Sequence, residues 1–152
     1  MVQRIGRGVG IPISSIYETI TGTNPAAGAE ISQTIPFGEV WDLYAVRVQL
    51  VSSVTATTRT PRLVIDDGTN ILWTGVAGVG QIESLTRRYI WSLGHIEKDS
   101  AFNPDDTAIN PLGFIGALPP NFRVRTITEN LQSGDDYAAP VLYVERWLYD
   151  AQ

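Results

Sequence analysis

His95 is the only histidine in this chain of 152 residues, and there is no cysteine. Nucleophilic and metal chemistry therefore have little to draw on. A zinc site of several histidines cannot be built, thiolate ligands and cysteine nucleophiles are excluded, and a Ser-His-Asp arrangement would have to gather around one imidazole. The G-x-S-x-G elbow that presents a nucleophilic serine is also missing. With Glu97 and Asp99 close by in sequence, His95 reads as a loop residue. Three acidic doublets, Asp66-Asp67, Asp105-Asp106 and Asp135-Asp136, carry oxygen ligands of the kind calcium gathers in numbers. Their spacing does not follow the alternating D-x-D-x-D-G loop, and aspartate is a favoured turn residue because its carboxylate accepts hydrogen bonds from nearby backbone amides. Turn chemistry is the expectation for all three. Gly6, Gly8 and Gly10 lack the preceding strand and following helix that a dinucleotide-binding loop requires. The chain is thus expected to have no catalytic residues, no metal and no cofactor.

The charge balance narrows the partners. A net charge of −5 argues against a phosphate-backbone binder, whose affinity comes from clustered Lys and Arg. Ten of the eleven basic residues are Arg and only Lys98 is Lys. Planar, weakly hydrated guanidinium suits bidentate contacts across protein interfaces, although a GC-rich genome gives the same bias. The N-terminal residues lack the apolar core of a signal peptide, and no run approaches the ~20 apolar residues of a membrane span. Neither nucleic acid nor membrane is an expected partner.

The elements that would position any site are strands. Runs of β type cover residues 13–20, 29–35, 40–51, 62–66, 70–74, 81–93, 122–131 and 140–149. In the third run Tyr44, Val46, Val48 and Leu50 share one face, and Arg47 and Gln49 the other, by the period of two of a half-buried strand. Asp66-Asp67-Gly68-Thr69-Asn70 reads as a tight hairpin connection. One turn pattern occurs twice: Ile35-Pro36-Phe37-Gly38 and Leu118-Pro119-Pro120-Asn121 each put a proline-led turn before a long strand, with Gly38 or Asn121 suited to a left-handed conformation. The chain so divides into two similar halves. The expected fold is all-β, an antiparallel β-sandwich that is jelly-roll-like with about eight strands, over residues 13–152, preceded by a flexible N-terminal arm over residues 1–12. An immunoglobulin-like sandwich fits the strand count and the halves less well. The connection over 94–117 reads as one long loop with apolar residues that must pack on the domain or on a neighbour.

The aromatic residues mostly fall inside strands and read as core. The last run differs, because Leu142, Val144 and Leu148 form one apolar set while Tyr143, Trp147 and Tyr149 form another on the opposite face. A strand apolar on both faces is either central and covered or presents a face to a partner.

Pro36-Phe37-Gly38-Glu39-Val40-Trp41, the strand Arg62-Leu63-Val64-Ile65-Asp66, and Leu118-Pro119-Pro120-Asn121-Phe122-Arg123-Val124 followed by Asn130-Leu131-Gln132-Ser133-Gly134-Asp135-Asp136 resemble small β-sandwich virion proteins of tailed bacteriophages. The resemblance implies a non-enzymatic structural protein of the capsid decoration, or cement, type. It would assemble in the host cytoplasm into the virion, bind the major capsid protein or other virion subunits, and form a homo-oligomer, a trimer before a dimer. The glycine-rich arm looks like the arms by which cement proteins reach adjacent subunits. Partner contacts are accordingly expected at Arg4, Arg7, Val9 and Ile11 of the arm, at Phe102, Ile109, Leu112 and Phe114 of the long connection, and at Tyr143, Trp147 and Tyr149 of the last strand. The alternative is a carbohydrate-binding module, or a fibre, neck or tail domain recognising a host surface. It requires exposed coplanar aromatics on one face or a calcium-bearing loop.

Overall fold

A computed structural model describes residues 12–94, 106–114 and 116–149. Alternating apolar residues build two sheets that face each other. The strands in chain order are β1 (Pro12–Thr21), β2 (Ser32–Thr34), β3 (Glu39–Val51), β4 (Thr60–Asp66), β5 (Ile71–Val76), β6 (Thr86–Ser92), β7 (Thr107–Pro111), β8 (Ala117–Leu118), β9 (Arg123–Glu129), β10 (Asp136–Tyr137) and β11 (Val141–Tyr149). One sheet runs β1-β11-β3-β6-β7, with β8 and β10 also paired to β3, and the other runs β2-β9-β4-β5. Setting aside β7, β8 and β10, the remaining eight strands pair in sequence order as 1-8-3-6 and 2-7-4-5. That wiring is the pair of interlocked Greek keys of a jelly roll.

The turn chemistry predicted for the two halves is present. Gly38 has φ +83° and Asn121 φ +70°, and both turns close on a hydrogen bond to the proline three residues back, Glu39 N–H to Pro36 O and Phe122 N–H to Pro119 O. The two turns also lie side by side, since Ile35 donates to Phe122 O and accepts from Asn121 N–H. Gly68, at φ +94°, closes the β4–β5 hairpin, whose ends are pinned by Asp66 accepting from Gly68 N–H and Asp67 from Thr69 and Asn70 N–H.

Three expectations need correction. The connection over 94–117 is not one long loop: it contains β7, which pairs parallel to β6, and leads into β8. Proline would break a strand interior, but Pro111 ends β7 at the sheet edge, where no ladder donor is needed. Strand pairing also begins later than expected in two runs, at Ser32 and at Thr86. Lastly, β3 carries a bulge. Leu43 pairs with Val144 and Ala45 with Tyr143, so Tyr44 is an extra residue and the alternation changes phase there. Trp41 and Leu43 point into the core with Val46, Val48 and Leu50, while Tyr44 leaves the face on which simple alternation puts it.

The core joins both sheets through Trp41, Leu43, Tyr89, Trp91, Leu142 and Val144 on one side and Leu63, Ile65 and Val124 on the other. Trp73 of β5 closes one end. Its indole lies where a Cβ on Gly113 would approach Nε1 to 3.1 Å, so glycine there lets the segment after β7 settle against the ring. A polar network seals the loops between the sheets. The buried Arg59 guanidinium donates from Nε and Nη2 to Asp135 at 2.9 Å each, and from Nη1 to Thr55 O and Thr57 O. Asp135 also accepts from the backbone N–H of Ser53 and Gln132.

Burial alone would raise the Asp135 carboxyl, but Arg59 and those two amides outweigh it and hold it down to about 2, against an ordinary 3.8. Because the folded value lies below the unfolded one, the stability this group contributes is complete above about pH 5 and is lost as pH falls towards about 2, amounting to about 2 kcal/mol. Urea titrations across that range are expected to show the decline. Asp135→Ala is expected to remove most of it and to cost about 3–5 kcal/mol at neutral pH, because it leaves the Arg59 charge buried and unpaired.

Candidate functional site

The outer face of the larger sheet carries a cluster that the core does not use. Tyr17 of β1, Tyr143 of β11 and Tyr44 of β3 surround Glu145. Tyr17 is Glu145's register partner on β1, and the Tyr44 hydroxyl donates to Glu145 Oε2 at 3.3 Å. The Tyr17–Tyr44 and Tyr44–Tyr143 ring centroids are each 5.8 Å apart, tilted by 48° and 52°. Tyr17 is 58 % exposed and Tyr143 45 %. Trp147 lies on the same face, its indole N–H donating to Asp42 Oδ2 at 3.1 Å. The neighbouring Tyr44 hydroxyl and then the Glu145 carboxylate raise the Tyr17 phenol above the ordinary tyrosine value.

Local sequence explains each placement. Ser15, Tyr17 and Thr19 alternate along β1 on the side of Trp147, Glu145 and Tyr143. Tyr44 reaches them because the bulge turns it outward. Glu145 stands directly opposite Asp42 across the β11–β3 pair. Two carboxylates in such a cross-strand position repel one another. What relieves them within the chain is neutral, the hydroxyl of Tyr44 and the indole of Trp147. Arg146, next in sequence, belongs to the other face and pairs with Glu18 and Glu39. Rings and carboxylates together make a surface suited to a guanidinium or ammonium group framed by apolar atoms.

Of the residues assigned to partner contacts from sequence, Tyr143 and Trp147 belong to this face. Tyr149 is half-buried at the end of β11, with its N–H bonded to Gly38 O. Ile109 is half-buried in β7, and Phe114 packs against the core. Leu112 is 4 % exposed and is part of the core, so a partner-contact role gives way to a packing role. Arg4, Arg7, Val9, Ile11 and Phe102 lie outside the described residues, as does His95. Sequence reasoning missed Tyr17, Tyr44, Asp42 and Glu145. Tyr17 could have been found as the one aromatic among the polar outward positions of β1, whereas the bulge that delivers Tyr44 leaves no local signature.

Of the acidic doublets, Asp66, Asp67, Asp106 and Asp135 act in turns or ion pairs, while Asp136 is an exposed residue of β10. Asp66 holds Arg123 and Arg125, and Asp106 faces Arg88. No group of three or more metal-ligating side chains occurs among the described residues. A depression of about 560 Å³ beside β7 is lined by Gly78, Ser92, Asn110, Leu112 and their neighbours, none of them titratable.

No protein-family model matches the chain, and no curated protein matches it. Among solved structures, dimeric latent PorU from Porphyromonas gingivalis is similar at 11 % identity and a TM-score of 0.37, over 94 % of this chain and 14 % of that one. The structure of the infectious bursal disease virus Gx strain is similar at 11 % identity and a TM-score of 0.29, over 98 % of this chain and 46 % of that one. The chain thus spans less than half the length of either, and at these scores neither likeness bears on what it does.

If the tyrosine face serves contact rather than folding, its exposed rings are dispensable for stability. Tyr17→Ala and Tyr143→Ala are each expected to cost about 1 kcal/mol or less. Leu142→Ala, beneath the same strands, is expected to cost about 2–5 kcal/mol. Urea unfolding of the three variants checks the contrast.

Proposed function

We propose that the protein is a bacteriophage virion structural protein of the capsid decoration type, binding the outer capsid surface and holding neighbouring subunits together. The observation that carries the reading is the cluster of exposed Tyr17 and Tyr143 and half-buried Tyr44 and Trp147 with Asp42 and Glu145 on one sheet face. Exposed aromatics concentrated on a rigid sheet are characteristic of protein interfaces, because they bring large contact area at little cost in side-chain order. A jelly roll closes most strand edges and leaves its two faces for assembly, although the fold alone hosts many functions. Each copy makes a modest contact, and repetition over a symmetric surface multiplies it. Ring tilts near 50° favour a protein partner over a sugar, which stacks best on coplanar rings.

The partner under this reading is the major capsid protein or another virion subunit, and the protein works without catalysis or cofactor. Its test is occupancy on purified particles. Tyr143→Ala, and separately removal of residues 1–11 ahead of β1, are each expected to leave the melting curve of the β-domain intact and to lower occupancy on particles stripped of the protein. Absence of the protein from purified particles, as read by mass spectrometry and cryo-EM, would overturn the assignment.

A further inference from the structure

Each outer face of the sandwich carries charges of both signs, Arg47 and Arg88 lying on the larger sheet and Asp66 and Glu129 on the smaller, and each also holds one contrasting feature. On the smaller sheet Arg62 of β4 stands between its register partners Val76 of β5 and Ile127 of β9. The arginine side chain is 43 % exposed, and the nearest carboxylate oxygen, on Glu129, is 3.9 Å away. Val76 is 50 % exposed and Ile127 37 %. Arg123 and Arg125 share this face and are already engaged by Asp66, which leaves Arg62 as the loosely held cation. On the larger sheet the corresponding feature is inverted: the Glu145 carboxylate, with Asp42 as its register partner on β3, stands among Tyr17, Tyr44 and Tyr143. One face presents a guanidinium framed by aliphatic groups, the other a carboxylate framed by aromatic rings.

We propose that copies of this chain associate front to back, with Arg62 of one copy seated among Tyr17, Tyr44, Tyr143 and Glu145 of the next. The inference rests on the reading of the protein as an assembly component and specifies which surface a second copy occupies. Cation–π attraction from the rings and the paired carboxylates both favour the guanidinium, and Val76 and Ile127 cover the ring edges. Because the two surfaces are different and lie on opposite faces, the contact is heterologous and leaves a free face at each end of any pair. A sheet face of four strands and six residues measures roughly 20 by 20 Å. The buried area is therefore at the small end of specific interfaces, and the association is weak and concentration-dependent.

The experiment uses the full chain in sedimentation velocity, from micromolar to near-millimolar concentration and at low and high salt. The wild type is expected to grow in average mass with concentration and to lose that growth with added salt. Arg62→Glu and Glu145→Arg are each expected to weaken association at least about tenfold with an unchanged melting curve. An equimolar mixture of the two variants, and the double variant in one chain, are expected to recover it, which a misfolded variant could not do. A wild type that stays monomeric throughout, an Arg62→Glu variant that associates normally, or a mixture that fails to recover would each overturn the contact. Particle occupancy retained in the face of such a result would remove this contact alone and leave the virion role standing.

Discussion

The buried pair of Arg59 and Asp135 is the interaction on which the shape of the sandwich's loop end depends. Three connections converge there: the one from β3 to β4 supplies Ser53, Thr55, Thr57 and Arg59, the one from β5 to β6 supplies Gln81, and the one from β9 to β10 supplies Gln132 and Asp135. These loops are themselves partly exposed and close over the buried guanidinium and carboxylate. Thr55 O and Thr57 O obtain their donors from Arg59, while Ser53 and Gln132 N–H obtain their acceptor from Asp135. Gln81 extends the network by pairing its backbone with Arg59 and donating its amide to Leu50 O and Leu85 O. An apolar pair of similar volume would avoid the desolvation of two charges, but it would take from these carbonyls and amides the partners that tie the three connections together. The charge pair thus serves the backbone more than it serves itself.

With that end fixed, β3 sets what each face presents. Its thirteen residues pair with β11 and β10 on one side and with β6 and β8 on the other. A strand engaged along both edges cannot slip, so the bulge at Tyr44 holds its position, and with it the phase of every side chain before and after it. Trp41 and Leu43 enter the core at odd positions and Val46, Val48 and Leu50 at even ones. One inserted residue accordingly gives a continuous apolar interior and a tyrosine on the exterior in the same stroke.

Local chemistry was legible in the sequence where a residue acts on its own neighbours. The proline-led turns ending at Gly38 and Asn121 and the hairpin at Gly68 follow from backbone preferences, and the eight principal strands follow from alternation. What was not legible depends on partners far along the chain. Arg59 and Asp135 are 76 residues apart and each looks like an ordinary surface charge in sequence. β7 owes its extended form to lying beside β6, as its own residues Thr107–Pro111 show little alternation and end in a breaker. The tyrosine cluster combined both cases: Tyr143 followed from the two-sided pattern of the last strand, while Tyr44 required the bulge and Glu145 gains its place only from the strands on either side of it.

The opposed carboxylates of Asp42 and Glu145 bear on specificity as much as on affinity. An exposed tyrosine face without them would pack against its own copy, because aromatic surfaces associate with little regard to partner. Two such faces brought together here would place four carboxylates in a desolvated contact, an arrangement disfavoured by several kcal/mol. The same pair leaves a cationic partner as the one that gains from burial. Burying a lone acidic residue there would have met the first requirement less strongly, and an uncharged residue not at all. The like charge gathered on this face is therefore what directs it towards an arginine-bearing surface and away from itself.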